Sequence, residues 1–120
     1  MTTIMIVEDE PLIREIGAEV LMDAGYDVIE AEDADEAMDI LEHGSTIALL
    51  FTDIRMPGPM DGIELATRVH GRWPTIRLLL TSGHVDLSDD ELPDHGAFIA
   101  KPYRWTQLTQ QIERLLITQH

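Results

Sequence analysis

Five positions in this 120-residue sequence carry side chains that could act together on a charged group: Glu8, Asp9, Asp53, Thr81 and Lys101. Three carboxylates cannot crowd together without a counter-charge, because repulsion raises their pKa values or pushes the site apart. A hard divalent cation solves this economically. Carboxylate oxygens with several retained waters suit Mg²⁺ better than a softer metal. The same cation would lower the repulsion felt by an incoming phosphate. A carboxylate can also accept a phosphoryl group, giving an acyl phosphate. Such a transfer asks the protein for positioning and for charge neutralisation on the equatorial oxygens. In that chemistry Asp53 is the nucleophile. Mg²⁺ takes one oxygen, the Lys101 ammonium a second, and the Thr81 hydroxyl with backbone N–H groups the third. Lys101 is the only lysine among eight basic residues.

These residues can meet only if the elements before them bring them to one place. Thr3 to Val7 is apolar on both faces and predicts a buried strand, ending in Glu8-Asp9-Glu10. Pro11 suits the first turn of a helix whose apolar face is predicted as Ile13, Ile16, Gly17, Val20 and Leu21, with Gly25 as its stop. Tyr26 to Glu30 is a second strand. Asp33 caps a helix that buries Ala34, Ala37, Met38 and Leu41 and stops at Gly44. Ile47 to Thr52 is the greasiest strand and runs straight into Asp53, before the turn at Pro57-Gly58-Pro59. Asp61 caps the next helix, which buries Leu65, Ala66 and Val69 and runs to about Gly71. Ile76 to Leu80 predicts a fourth strand ending at Thr81-Ser82, and Ala97 to Ala100 a fifth ending at Lys101. Residues 84–95 hold five acids and Pro93, so at most a short or disordered fourth helix is expected there. Trp105, Leu108, Ile112, Leu115 and Leu116 form the stripe of a last helix.

Strands alternating with helices imply an α/β fold with a five-stranded parallel sheet, doubly wound. The flavodoxin-like order 2-1-3-4-5 is the natural choice, and ligands of such sheets bind beyond the carboxyl ends of the strands, at the switch point. Every candidate residue falls at that edge.

Composition narrows the function further. A hydrophobic content of 44% supports a real core, and 120 residues make one domain, 1–120. A net charge of −15 argues against nucleic acid as a direct partner, since phosphate binding rests on Lys and Arg. There is no cysteine, no signal peptide and no apolar run of membrane-spanning length, so a cytoplasmic protein without membrane contact is expected. The five histidines show no metal-ligand spacing, and the methionines are read as core or loop fillers.

Val7-Glu8-Asp9-Glu10-Pro11, Thr52-Asp53-Ile54-Arg55-Met56-Pro57, Leu80-Thr81-Ser82 and Lys101-Pro102 together resemble the signature of the response-regulator receiver domain of two-component signalling. The resemblance runs from Ile4 to Leu116. It implies that Asp53 is the phosphoacceptor, supplied by a histidine kinase or a histidine phosphotransfer protein. It implies Mg²⁺ bound by Asp9, Asp53, the Arg55 backbone carbonyl and, through water, Glu8. Lys101 pairs with Asp53 or its phosphate, Thr81 is the switch hydroxyl, and Phe98 stands at the switch aromatic position. The expected output is a protein partner at the face of strand 5 and the last helix. Met1 directly before the first strand favours a free-standing regulator over the receiver of a larger kinase.

Pro59 lengthens the loop after Asp53 by one residue relative to the family pattern, and Phe98 lacks a hydroxyl. Two alternatives compete: a Mg²⁺-dependent aspartyl phosphohydrolase, and a phosphate sink without a dedicated output. The hydrolase reading is disfavoured by Arg55, which stands two residues after the nucleophile, where such enzymes often carry an acid. Arginine cannot donate a proton at working pH. No separate substrate turnover is expected.

Overall fold

The computed structural model describes residues 2–83 and 96–117. Five strands, β1 (Thr3–Val7), β2 (Asp27–Ala31), β3 (Leu49–Asp53), β4 (Arg77–Ser82) and β5 (Gly96–Ala100), form one sheet in the order β2-β1-β3-β4-β5. All four pairings are parallel, so the predicted order and switch point are present. Among the described residues four helices connect or follow them: α1 (Pro11–Asp23), α2 (Ala34–Glu42), α3 (Gly62–Arg72) and α4 (Trp105–Ile117). The expectation for a short or disordered fourth helix falls on residues 84–95, outside the described residues.

Side-chain alternation along the strands splits the core in two. Ile4 and Ile6 of β1 join Leu49, Phe51 and Leu79 beneath α1 and α4, where Leu21, Leu108 and Ile112 complete the cluster. Met5 and Val7 join Leu50, Leu78 and Leu80 beneath α2 and α3, with Leu41, Leu65 and Val69. Residues 49 to 53 of β3 are buried throughout. That burial, at about 1.5–3 kcal/mol per large apolar side chain, makes β3 a stiff support for Asp53. β2 forms one edge of the sheet and leaves Asp27 and Glu30 exposed.

Local signals set the helix ends. Asp33 accepts the Glu36 N–H at 2.8 Å and Asp61 accepts the Glu64 N–H at 2.9 Å, so both predicted N-caps are made. Gly25 (φ 101°) and Gly44 (φ 96°) adopt the left-handed conformation that ends a helix cheaply only in glycine. At the end of α3 the Arg72 guanidinium lies 4.5 Å from the Trp73 ring, a cation–π contact at the helix terminus.

Several boundaries differ from the sequence reading by one or two residues. β2, β3 and β4 each begin and end later than predicted, so Asp53 is the last residue of its strand rather than the first beyond it. The larger correction concerns α1. Ile13 and Ile16 are each 38% exposed and do not face the sheet. The inward stripe is Arg14, Gly17, Ala18 and Leu21, with Arg14 partly buried. The cause is close approach: a Cβ on Gly17 would stand 2.6 Å from Ile6 Cδ1 and 3.5 Å from the Trp105 ring. Small residues let α1 settle onto β1, and the two isoleucines are turned outward as a result.

Candidate functional site

Four strand ends meet at one edge of the sheet. Glu8 follows β1 and is 7% exposed, while Asp53 closes β3 at 8%. Thr81 and Ser82 close β4, and Lys101 follows β5 with a cis bond to Pro102. Thr81 pairs with Asp53 across β3 and β4, and the Ile54 N–H donates to the Thr81 carbonyl at 2.9 Å. Because neighbouring parallel strands lie side by side, these ladder contacts alone bring Asp53 and Thr81 to the same level.

The Lys101 ammonium donates to Asp53 Oδ2 at 2.5 Å and lies 4.0 Å from Glu8 Oε1. Asp53 Oδ1 accepts the Arg55 N–H at 3.1 Å, and Glu8 Oε2 accepts the Glu10 N–H at 3.1 Å. Both carboxylates are thus aimed by backbone donors. Burial pushes the Glu8 carboxyl up to about 7; its hydrogen bond with Asp9 and the Asp53 charge act the same way, against the Glu10 N–H and Lys101. For Lys101, burial favours the neutral amine. The Asp53 hydrogen bond and the charges of Asp53, Glu8 and Asp9 outweigh it, and the ammonium is held above its usual range. Behind it, burial first and then the Glu8 and Asp53 charges raise the Tyr103 hydroxyl to about 12.

A cavity of about 250 Å³ opens over these groups, lined by Glu8, Asp9, Asp53, Arg55, Ser82 and Lys101 among others. Thr81 is not in its wall. Its hydroxyl donates to the Ile99 carbonyl at 2.7 Å, and Ser82 and Gly83 face the cavity instead. Phe98 is half-buried against the α2–α3 side of the core, and its carbonyl accepts from Gln111 Nε2 at 3.2 Å. The predicted carboxylates and the lysine are therefore together, while the two switch candidates lie one layer behind them.

Among the described residues no three acidic or histidine side chains are gathered tightly enough to cage a metal. Mg²⁺ does not require a cage: it takes one or two carboxylates and keeps several waters. The cavity offers only hard oxygen donors from Glu8, Asp9 and Asp53, together with a buried Glu8 carboxyl that a divalent cation would ionise. On donor chemistry the residues fit Mg²⁺.

Sequence reasoning missed two residues that shape this edge. A Cβ on Gly62 would stand 2.2 Å from the Asp53 carbonyl oxygen and 2.8 Å from Ile54 Cα, so only glycine lets α3 start directly behind the acid. The signal was a glycine at the first position of a helix, where its propensity is poor. Arg14 donates to the Glu8 carbonyl at 2.8 Å. Its signal was its spacing to Gly17, Ala18 and Leu21 at i+3, i+4 and i+7, which an apolar pattern search passes over.

A model of the response regulator receiver domain family matches residues 4–113. The chain belongs to that family. The receiver is 32% identical over 120 residues to the response regulator receiver protein CpdR of Brucella abortus, covering 98% of each chain. It is also 32% identical over 118 residues to the sensor kinase CckA of the same organism, where the match is 95% of this chain but 12% of the kinase. Solved relatives include a receiver domain from the hybrid histidine kinase CckA, at 33% identity and TM-score 0.81 over 95% of this chain and 98% of that one. A response regulator receiver protein from Sinorhizobium medicae superposes with TM-score 0.89 at 28% identity, over 96% and 94%. The response regulator TrrA of Thermotoga maritima, solved in complex with Mg²⁺–BeF, has TM-score 0.82 at 28% identity, over 96% and 99%. This receiver therefore spans nearly all of one relative and a small part of another. Among its described residues no helix is long and apolar enough to cross a membrane.

Proposed function

We propose that this receiver is a phosphorylation switch in a two-component phosphorelay, with Asp53 as the residue that accepts the phosphoryl group. The observation that carries the reading is the Lys101–Asp53 contact at 2.5 Å, at the wall of a cavity shared with Glu8 and Asp9. The donor is a phosphohistidine on a histidine kinase or phosphotransfer protein. A P–N bond breaks, a P–O bond to an Asp53 oxygen forms, and the imidazole leaves neutral after taking a proton from solvent.

The chain's own residues supply the positioning. The Arg55 N–H orients Asp53, and Lys101 stands ready to pair with the charge that develops on the transferred group. Glu8, Asp9, Asp53 and the Arg55 backbone carbonyl would hold Mg²⁺, which when bound neutralises phosphoryl oxygen charge. Thr81 would leave the Ile99 carbonyl to donate to a phosphoryl oxygen, and Phe98 beside it would settle deeper. A protein partner would read that change at the face formed by Ala97 to Leu116. The reading treats residues 1–120 as one receiver domain working in the cytoplasm, with no substrate turnover of its own.

The deciding experiment is labelling by a histidine kinase or by acetyl phosphate with Mg²⁺. The parent should acquire a phosphate that hydroxylamine removes, as it does from an acyl phosphate, and Asp53→Ala should not. Full labelling of the variant would remove Asp53 from the role.

A further inference from the structure

Glu8 is pinned at three points. Its N–H donates to the Ala31 carbonyl at 3.1 Å, and its side chain accepts the Glu10 N–H. Its own carbonyl lies beyond the last pairing of β1 with β3, at Val7 and Thr52. A carbonyl there must find a partner other than the sheet ladder. Arg14 Nη1 provides it at 2.8 Å. The other side of the same guanidinium, Nε, donates to Glu30 Oε1 at 3.3 Å, and the arginine side chain is 19% exposed. One planar fork thus ties α1 to the end of β1 and to β2.

We propose that Arg14 is a positioning residue for the acidic site. By fixing the Glu8 carbonyl it sets the peptide plane from which Asp9 departs, and so the direction in which both carboxylates face the cavity, with Glu30 steering the guanidinium. This rests on the reading of the cavity as the Mg²⁺ site. It goes further by assigning a role to a residue that touches neither the cation nor the phosphoryl group.

Two effects of Arg14 on Mg²⁺ have opposite signs. As a nearby positive charge it repels the cation, so its removal would tighten binding. As the group that aims Glu8 and Asp9 it favours binding, so its removal would weaken it. Outer partners of metal ligands typically change affinity about 10–100-fold. The expected result is that Arg14→Met, which keeps the aliphatic stem, weakens Mg²⁺ binding about tenfold. Arg14→Lys, with its charge and a single donor, should recover part of that loss.

The test is calorimetric titration of the full chain with MgCl₂, alongside urea unfolding in EDTA. A purely structural role would lower the unfolding midpoint and leave the Mg²⁺ Kd of the folded protein unchanged. An Arg14→Met protein that binds Mg²⁺ as tightly as the parent, or more tightly, overturns the proposal. Should Arg14→Met not fold, Arg14→Lys decides: weaker binding than the parent supports the role, and equal binding overturns it. A parent that binds no Mg²⁺ overturns the cation reading itself, and Arg14's role with it. A parent that binds with no effect of Arg14 removes only the latter.

Discussion

Replacing Glu8 with glutamine should stabilise the metal-free receiver, and by an amount that grows with pH. An ordinary glutamate titrates near 4.5, and burial carries Glu8 up to about 7. Between those values the folded chain holds the proton more tightly than the unfolded chain. This group therefore favours the fold fully below about pH 4.5, and that contribution is lost as pH rises through about 7. A rise from 4.5 to about 7 corresponds to about 3 kcal/mol at roughly 1.36 kcal/mol per unit. Glutamine is neutral throughout and can still accept the Glu10 N–H. Urea unfolding in EDTA, followed by circular dichroism, should give nearly equal stabilities for parent and Glu8→Gln near pH 4.5. By pH 8 the variant should lead by about 2–3 kcal/mol. Saturating Mg²⁺ should shrink the gap, because the cation supplies the ionised carboxylate with a partner. A gap that does not change with pH, or that closes as pH rises, would refute the claim that burial of the Glu8 carboxyl outweighs its partners at this edge.

Asp9→Asn should raise the Mg²⁺ Kd in a calorimetric titration while leaving the metal-free fold intact or more stable, since one of three neighbouring charges is gone; unchanged affinity would put the cation elsewhere. Gly62→Ala should lower the unfolding midpoint sharply, because its Cβ would meet Asp53 backbone at 2.2 Å, whereas Gly71→Ala, with nothing within 4 Å, should gain about 0.5–1 kcal/mol; equal effects would show that the close approach is not limiting. Asp33→Ala should cost about 1 kcal/mol by loss of the cap to Glu36 N–H, read from the same unfolding curves.

The alternation of strands and helices was legible because β1, β3 and β4 are buried along nearly their whole length, and α1, α2 and α3 each begin or end on a residue with one mechanical reason to be there. Asp33, Asp61, Gly25 and Gly44 all act as their types suggest. The acidic site was legible for a similar reason: a carboxylate directly after a greasy strand has one edge to occupy. α1 was misjudged because hydrophobicity alone identifies what a residue prefers, not how near two backbones come. Gly17 decides that distance, and it turns Ile13 and Ile16 outward and Arg14 inward. Thr81 lies inside the end of β4, and the direction of its hydroxyl depends on the Ile99 carbonyl of another strand, which no local pattern encodes.

β2 carries a consequence of its own. It ends the sheet, and its outer backbone groups could template a strand from a second molecule. Asp27 stands exposed along it, so two such edges brought together would set like charges near one another, in a chain already at −15. That guard is a matter of ions in solution as much as of the protein. Its range is about 8 Å at physiological salt and about 3 Å at 1 M, so concentrated salt would bring the edges closer to sticking, and dilute buffer would keep the molecules apart.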